Sequence, residues 1–515
     1  MKALRSVAVL GAVALLATAC GNDSGGSGGP SGKQPVNGKT FTLAVPSDPG
    51  NLDPHFTSLT IAGQVDRFLY DSLLGFAPDG KLLPGLAEKW EGTTTEAKFT
   101  LRKGVTCADG TPLTAKQVAD NLSFVGDVKN ASTRIGIYVP AGAKATADEA
   151  TGVVTVTSPA PDAFLTRNLG GLPIVCEKGM KDRTKLKQSS DGTGMFTMTE
   201  AVPDDHYTLT RRKEYAWGPG DVKADTVGLP DKVVIRIVAN EATAANLILT
   251  GELNAARFTG QDSQRLQGDD YVKRDVLAPT GEIWFNEKPG LPTADEATRK
   301  ALIQSLDLKQ LQQAFTSGRG ADPTGLVAPA MTPCKGDTIK GNQPAFDAAG
   351  GKAALGGKPL SLTVAYAPSA GPGAQPAAEL LQQQWTAAGV KVTLKSVTAV
   401  QVGQIAGGQL SWDVAMFPIG VTLPSQLVSF LSGPTPPNGA NFASIDNKAY
   451  QSAVAEAQKV ADAGGCDKWL AGETELIKRL DLVPFANSNT PYFIKNATFE
   501  LSDGDVGPAS IRMFG

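Results

Sequence analysis

The sequence predicts an α/β protein with more than one domain, and three observations support this. The chain has 515 residues, and the part after residue 38 is long enough for two or three ordinary domains. Short segments with alternating apolar residues, typical of strands, recur in the first half. In the second half a strand at 359–365, a helix at 375–388 and a strand at 390–394 form a βαβ unit, which predicts parallel pairing.

The elements of the first half follow from local patterns. Phe41, Leu43 and Val45 alternate along the first predicted strand, and Thr114 stands where the N-cap of a helix is expected. Leu86 and Trp90 lie four residues apart, a spacing that predicts one buried face of a helix. In full, the elements predicted for this half are strands at 40–45, 98–102, 153–157, 207–211 and 232–238 and helices at 62–74 and 114–124.

The second half contains longer helical patterns. Leu380, Leu381, Trp385 and Ala388 share one face of the helix at 375–388, and Gly389 ends it. The other predicted elements of this half are helices at 298–306, 308–315, 450–461 and 467–480 and a strand at 412–417. No internal repeat of solenoid length is visible.

The N-terminus has the features of an export signal. Lys2 and Arg5 precede an uncharged apolar run at 7–17, which is too short to span a bilayer. Small residues then lead to Cys20, and a stretch rich in Gly and Ser follows to residue 38. This order resembles a bacterial lipoprotein signal, with residues 1–19 removed, Cys20 acylated and 20–38 forming a flexible tether. An ordinary cleaved signal that ends near a cysteine is the alternative.

The composition excludes several kinds of partner and chemistry. The formal net charge is −3, so neither nucleic acid nor an anionic membrane surface is an implied partner. The two histidines, His55 and His206, argue against a His-rich metal site and leave few partners for a nucleophilic pair. We expect no cofactor and no metal, and any contact with the membrane through the lipid anchor only.

Four cysteines follow Cys20. They are Cys107, Cys176, Cys334 and Cys466. An even number in an exported chain suggests two disulfides, and three pairings are possible; isolated buried thiols are the alternative.

Seven stretches occur in the order typical of one protein family. They are NLDPHFT (51–57), LYDSLLGFAPDGKLLPGLAEKWE (69–91), KFTLRKGVTCADGTPLTAKQVADNL (98–122), GTGMFTM (192–198), LILTGELNAA (247–256), IWFNEKPG (283–290) and TRKALIQSLD (298–307). Together they resemble the family 5 extracellular solute-binding proteins, the oligopeptide-, dipeptide- and nickel-binding components of ABC importers. The resemblance covers nearly all of residues 40–500.

The resemblance implies a two-lobed fold of the periplasmic-binding-protein type, in its type II, large peptide-binding class, with a hinge and a ligand cleft between the lobes. Lobe I would comprise 39–278 with 490–515, and lobe II would comprise 279–489. A disulfide between the lobes would prevent their opening. On this basis we predict the pairs Cys107–Cys176 and Cys334–Cys466.

The implied function is that of a receptor on the outer face of the cell membrane. It would be a lipid-anchored monomer, capture a peptide or other small molecule by lobe closure, and deliver it to ABC permease subunits without catalysis. A sensory receptor for a peptide signal, without import, is an alternative. An extracellular hydrolase is a weaker one, because His55 lies in a Pro-flanked loop and His206 in a predicted hairpin turn.

The family's cleft positions, transferred by alignment, give candidate ligand-binding residues on both lobes and at the crossings between them. For the aromatic candidates core packing is the alternative, and for the polar ones a turn or surface role. The candidates are Thr57, Ser58, Trp284, Asn286, Phe417, Ile419, Gly420, Thr422 and Tyr492.

One family feature is absent from the sequence. In many peptide-binding members an aspartate after the strand that matches WDVAMFPIG pairs with the ammonium of the peptide N-terminus, and Thr422 occupies that position here. No acidic residue occurs between Asp413 and Asp446. A hydroxyl cannot neutralise a buried ammonium. We therefore expect an N-blocked, cyclic or non-peptide ligand, unless an acid such as Asp48 or Asp53 replaces the aspartate.

Overall fold

The computed structural model of the protein describes residues 33–57, 59–327, 332–357, 359–371 and 373–515. The predicted signal at 1–19, Cys20, most of the predicted tether and the candidate Ser58 lie outside the described residues.

The described chain alternates between strands and helices throughout. In chain order the strands are β1 Thr40–Val45, β2 Leu74–Phe76, β3 Leu82–Pro84, β4 Ala87–Gly92, β5 Glu96–Leu101, β6 Lys144–Asp148, β7 Val153–Thr157, β8 Phe196–Val202, β9 His206–Arg211, β10 Lys232–Ile237, β11 Ala255–Arg257, β12 Tyr271–Arg274, β13 Leu277–Phe285, β14 Leu360–Tyr366, β15 Val390–Ser396, β16 Val414–Met416, β17 Leu482–Asn489, β18 Tyr492–Lys495, β19 Ala497–Thr498, β20 Leu501–Ser502, β21 Asp505–Val506 and β22 Arg512–Met513. The helices are α1 Thr60–Leu69, α2 Ala115–Gly126, α3 Leu165–Gly170, α4 Glu177–Lys181, α5 Glu241–Thr250, α6 Glu296–Gln304, α7 Leu308–Thr316, α8 Ala348–Ala354, α9 Ala374–Ala387, α10 Ala399–Ala406, α11 Pro424–Leu431, α12 Lys448–Ala457 and α13 Cys466–Arg479.

A seven-stranded mixed sheet organises the first part of the chain. Its strand order is β12-β18-β11-β1-β10-β9-β8. The central strand β1 is parallel to both of its neighbours, β10 and β11. Phe41, Leu43 and Val45 of β1 are buried and belong to a large apolar core that also contains one face of α1 and of α2. The alternation seen in the sequence therefore marks a strand that packs against helices.

A five-stranded sheet with the order β15-β14-β16-β13-β17 organises the second part. Both of its faces are covered. Ile283 and Phe285 of β13 face a core with α6, α7 and α9, whereas Trp284 faces a second core with α11, α12 and α13. Strand β14 pairs in parallel with β15 across helix α9, so the predicted βαβ unit is confirmed.

A four-stranded sheet, β4-β5-β7-β6, corrects one prediction. The segment with Leu86 and Trp90 is not a helix, because Trp90 lies in β4 and pairs with Phe99 of β5. A spacing of four residues places two side chains on one face of a helix and equally on one face of a strand. The spacing alone therefore could not separate the two structures, and pairing with β5 decided it.

The chain passes between the two larger sheets twice. It leaves the seven-stranded sheet after β12 and enters the five-stranded sheet at β13, and it returns between β17 and β18. We call the part with the seven-stranded and four-stranded sheets lobe I and the part with the five-stranded sheet lobe II. The two connections are neighbours, since the Thr490 amide donates to the Val276 carbonyl at 3.0 Å. The fold is thus α/β and two-lobed.

The sulfurs of the four described cysteines lie in two bonded pairs, one in each lobe. The Sγ–Sγ distance is 1.97 Å for Cys107–Cys176 and 2.06 Å for Cys334–Cys466. Within the described residues, no helix has the length and apolarity that crossing a membrane would require.

Candidate ligand-binding cleft

A cavity of about 910 Å³ lies between the lobes. Lobe I contributes the turn after β2, a loop before β6, the helix α3 and a loop near the C-terminus. Lobe II contributes the segment after β16, the helix α11 and the loop after it. The main lining residues are Phe76, Ala77, Gly80, Ile137, Tyr138, Arg167, Asn168 and Asp503 from lobe I and Ile419, Gly420, Val421, Thr422, Gln426, Phe430, Pro434 and Ala440 from lobe II.

The lobe II wall is an uncharged loop that leads into α11. Gln426 in the first turn of α11 accepts hydrogen bonds from the amides of Thr422, at 3.0 Å, and Leu423, at 3.1 Å. Pro424 occupies the first turn of the helix, where its missing N–H costs no hydrogen bond. Among the described residues, lobe II lines the cavity with uncharged side chains.

A buried carboxyl group anchors this loop from behind. Glu282 Oε2 accepts from the Ile419 amide and from Trp284 Nε1, each at 3.1 Å. Glu282 is 1% exposed, and burial raises its pKa to about 8. Since a buried ionised carboxylate is costly, the group is predominantly protonated below that pH. Glu282 thus connects the loop that lines the cleft to strand β13 through a hydrogen bond, and Glu282 itself does not line the cavity.

Trp284 and Phe417 are core residues in this structure, contrary to the expectation that they contact ligand. Trp284 is fully buried, its ring lies 4.9 Å from that of Phe442, and its Nε1 also donates to the Phe417 carbonyl at 3.1 Å. Phe417 is 4% exposed and stacks on Phe442 at 6.0 Å. Because both faces of the five-stranded sheet are covered, an aromatic residue on β13 packs inside lobe II.

The lobe I wall carries the charged groups of the cleft. The Arg167 guanidinium lies 5.5 Å from the centre of the Phe76 ring, and its Nη2 donates to the Gly80 carbonyl at 2.8 Å. Asp503 forms an ion pair of 3.1 Å with Arg67. These contacts fix the orientation of Arg167 and leave Phe76 and Tyr138 as aromatic surfaces in the cavity wall.

The two lobes also touch beside the cavity. The ring of Phe164, before α3, is fully buried in the core of lobe II, 6.0 Å from that of Trp469. The Asp462 amide donates to the Ala163 carbonyl at 2.6 Å, and Arg167 Nε pairs with Asp462 Oδ1 at 3.3 Å. These contacts connect the lobes on the α3 side of the molecule.

Three of the candidate residues, Ile419, Gly420 and Thr422, line the cavity. The others that the structure describes do not. Asn286 is 8% exposed, and its Nδ2 donates to the Trp412 carbonyl at 2.9 Å. Tyr492 is 1% exposed, and its hydroxyl accepts from Gln64 and donates to Asp505.

Thr57 is 4% exposed, and its hydroxyl accepts a hydrogen bond from the Leu59 amide at 3.3 Å. Asn286, Tyr492 and Thr57 therefore have structural partners, and their polar atoms are used within the protein. Like Trp284, each lies inside a lobe and does not line the cavity.

Neither acid proposed as a replacement for the missing aspartate lines the cavity. Asp53 is 2% exposed and pairs with Arg183, whose Nε lies 2.9 Å from Asp53 Oδ2. Asp48 Oδ2 accepts from the Tyr207 hydroxyl and the Asp204 amide, each at 2.8 Å. Both carboxylates are already engaged by donors of lobe I.

Sequence reasoning missed the lobe I wall. Phe76, Tyr138, Arg167 and Asp503 come from four segments that are far apart in the chain, and no local motif joins them. The one available signal was Arg167, the single charged residue in the run FLTRNLGGLPIV at 164–175. A buried arginine in such a run is usually held by specific partners.

The described residues include no group of three or more His, Cys, Asp or Glu side chains arranged to hold a metal ion. His55 is fully buried, and burial lowers its pKa to about 3. His206 lies between Asp205 and Glu200 at the start of β9, away from the cavity. The cleft offers a ligand aromatic surface, hydrogen-bonding groups and the charged side chains of the lobe I wall.

The family model for bacterial extracellular solute-binding proteins, family 5 Middle, matches residues 81–442. The chain belongs to this family. Among its relatives is the oligopeptide-binding protein OppA of Bacillus subtilis, 27% identical over 347 residues, which cover 62% of each chain. That match spans less than two thirds of the relative's length. The glutathione-binding protein GsiB of Shigella flexneri is 25% identical over 463 residues, 82% of this solute-binding protein and 84% of the relative.

Solved structures share the fold over nearly the whole chain. A substrate-binding protein from Microbacterium hydrocarbonoxydans, in complex with 4-hydroxybenzoate hydrazide, is 26% identical with a TM-score of 0.70; the match covers 92% of this solute-binding protein and 100% of that chain. The unliganded open form of the murein tripeptide-binding protein MppA has a TM-score of 0.77 at 18% identity, over 94% and 99% of the two chains. The members of this family are extracellular binding proteins.

Proposed function

We propose that this protein is the solute-binding component of an ABC importer, which captures its ligand in the cleft and delivers it to the permease. The observation that carries the proposal is the cavity of about 910 Å³ with walls from both lobes. A cavity of this size fits a small-molecule or short-peptide ligand. A ligand enclosed by two lobes also reports its presence through their closure.

The two neighbouring connections at 275–276 and 490–491 are the proposed hinge, with lobe I at 39–278 and 490–515 and lobe II at 279–489. Short paired segments can absorb a change in backbone angles while each sheet stays rigid. Asn489 Nδ2 donates to Asp275 Oδ1 at 2.7 Å, which keeps the two connections together as the lobes move.

Filling the cleft tests this function. A Cβ added at Gly420 would meet no atom within 4 Å, so Gly420→Trp places its ring in the cleft without a clash at the backbone. We expect the wild-type protein, purified from its own host and measured by native mass spectrometry, to retain a small molecule, and Gly420→Trp to lose it.

Gly403→Trp is the matched control. A Cβ at Gly403 also meets no atom within 4 Å, and this exposed residue of α10 does not line the cavity. Retention of the same ligand mass by both variants would contradict binding in this cleft.

The remaining features of the proposal concern location and assembly. The protein would act as a monomer without catalysis, held at the outer face of the cell membrane by a lipid on Cys20. The order of charge, apolar run, small residues and polar tether supports this anchor. The mass of the mature N-terminal peptide distinguishes an acylated Cys20 from an ordinary cleaved terminus.

The ligand, in our proposal, does not place a free peptide N-terminus against lobe II. The support is the uncharged lobe II wall around Thr422, together with the engagement of Asp48 and Asp53 elsewhere. The structure that is 26% identical to this chain was solved with an acyl hydrazide, which is not a peptide. An N-blocked, cyclic or non-peptide ligand fits a wall of this kind.

Calorimetry with peptides tests the ligand class. We expect free di- to pentapeptides to bind no more tightly than their N-acetylated forms. Thr422→Asp should introduce a preference for the free forms, because it supplies a counter-ion for the ammonium. Thr422→Asn is the uncharged control. Tight binding of free peptides by the wild type, lost on acetylation, would contradict the proposal.

A further inference from the structure

A second cavity, of about 440 Å³, lies inside lobe I beside the cleft. Phe76, Tyr138 and Asp503 belong to the walls of both cavities, so the two spaces adjoin. Further walls come from α1, from Arg134 and Arg257, and from Val276 and Ala278 at the first connection between the lobes. A ligand in the cleft therefore has room to extend one of its groups into lobe I.

Asp66 of α1 lines this second cavity, and among the described residues no group donates a hydrogen bond to its carboxyl oxygens. The residue is 3% exposed. Leaving a buried carboxylate unpaired costs several kcal/mol, which is why such groups are nearly always paired or ligated.

The neighbouring charges do not supply the missing partner. Arg134 is a cation whose charge acts on Asp66, but its Nε donates to the Pro54 carbonyl at 2.9 Å and its guanidinium lies over the Tyr138 ring. Asp53, which also acts on Asp66, is paired with Arg183. Burial and Asp53 together keep the pKa of Asp66 well above its usual range, against the opposing effect of Arg134.

The other acids of this cavity differ from Asp66 in having donors. Asp71 accepts from the Tyr215 hydroxyl and from Trp217 Nε1, each at 2.9 Å. Asp503 pairs with Arg67, and Asp505 accepts from the Tyr492 hydroxyl at 2.6 Å. Asp66 is thus the acid in this wall, among the described residues, whose bonding capacity is unused.

We propose that the lobe I cavity is a subsite of the cleft for a positively charged nitrogen on a side chain or substituent of the ligand, an alkylammonium or guanidinium group other than a peptide N-terminus, with Asp66 as its counter-ion. This inference rests on the proposed function, since it assigns part of the captured solute to lobe I. It places the charge recognition on the lobe opposite Thr422. A charged ligand nitrogen at Asp66 would restore the pairing that the empty protein lacks.

The subsite can be tested without knowing the ligand. The probes are n-butylammonium chloride and uncharged n-butanol, titrated into protein labelled with ¹³C at the aspartate carboxyl carbons. We expect n-butylammonium to shift the Asp66 carboxyl signal and n-butanol to leave it in place. Asp66→Asn identifies the signal by removing it. Equal responses to the two probes, or none, would overturn the proposal.

Two variants separate the counter-ion from its neighbours. Asp66→Asn keeps the shape and removes the charge, and it should weaken n-butylammonium binding by about tenfold or more, as expected for the loss of an ion-paired hydrogen bond. It should melt no lower than the wild type, because it relieves an unpaired buried acid. Asp503→Asn is the control from the shared wall. Loss of binding in Asp503→Asn, with retention in Asp66→Asn, would overturn the assignment.

The two proposals fail in different ways. If Gly403→Trp and the wild type carry no ligand while n-butylammonium still binds at Asp66, the capture function fails and the cation subsite stands. The wild type and Asp66→Asn could instead retain the host ligand with equal affinity while n-butylammonium does not bind. In that case the capture function is supported and the cation subsite is contradicted.

Discussion

The two walls of the cleft differ in how they use charge. Lobe I brings Arg167 and Asp503 to the cavity surface and Asp66 to the adjoining space. Lobe II presents uncharged residues from 419 onwards and keeps its acid, Glu282, behind the wall. In lobe II the buried carboxyl group of Glu282 positions the backbone that lines the cavity, whereas lobe I places charged side chains in the cavity wall.

This difference separates residues that support the wall from residues that form it. Trp284 and Glu282 belong to the first group, and Phe430, which lines the cavity from α11, belongs to the second. The proposed change in each group should affect a different measurable quantity. Substitution of a residue behind the wall should change the free energy of unfolding, and substitution of a residue that lines the cavity should change the affinity for ligand.

The largest effect is expected for Trp284→Ala. The ring is fully buried among Trp412, Phe417 and Phe442, and removing it should lower the free energy of unfolding by about 3–5 kcal/mol, the range for large-to-small core substitutions. Urea unfolding followed by circular dichroism measures this loss. Phe430→Ala is the comparison, with a smaller change in stability and a clear loss of affinity. A Trp284→Ala protein of normal stability and reduced affinity would place Trp284 in the ligand site after all.

The second effect is a change in the pH dependence of stability. Burial raises the pKa of Glu282 to about 8, above its value in an unfolded chain. The stability associated with the protonated group is fully present below about pH 4 and is lost as the pH rises toward 8. Glu282→Gln lacks this loss and keeps an acceptor for the Ile419 and Trp284 N–H groups.

We therefore expect Glu282→Gln to gain stability relative to the wild type between pH 4 and pH 8, by roughly 1.4 kcal/mol for each unit by which the pKa is raised. Denaturant unfolding at a series of pH values measures the difference between the two proteins. Asp71 and Glu287, whose pKa values are also raised, titrate in both proteins and cancel in the difference. A difference that does not change with pH would show that Glu282 titrates normally.

The smallest effect is expected where the lobes meet beside the cavity. Asp462→Asn removes the ion pair with Arg167. Because the Asp462 side chain is partly exposed, the free energy of unfolding should fall by no more than about 1 kcal/mol. Asn tolerates the positive φ of 49° at this position. Phe164→Ala at the same contact should cost more, because it empties a buried site against Trp469. Thermal unfolding ranks the two variants, and the reverse order would mean that the ion pair dominates the contact.

Local patterns in the sequence predicted much of the secondary structure. The strand at 40–45 and the strand at 153–157 have the predicted bounds, and Thr114 caps α2 through a bond from the Gln117 amide at 3.2 Å. Helix α1 ends at Leu69 and not at 74, because the chain turns there into β2. These features depend on neighbours in the chain, so periodicity and capping residues are sufficient to predict them.

The sequence by itself also determined the family, the parallel βαβ unit and the absence of an acid between Asp413 and Asp446. Only the tertiary structure decided which candidates line the cavity. Ile283, Trp284 and Phe285 are all buried, so apolar pattern cannot separate a core face from a cleft face when a sheet is covered on both sides. The lobe I wall is joined by long-range contacts between distant segments. Asp66 became a candidate only when folding left its carboxyl group buried with no hydrogen-bond partner among the residues that the structure describes.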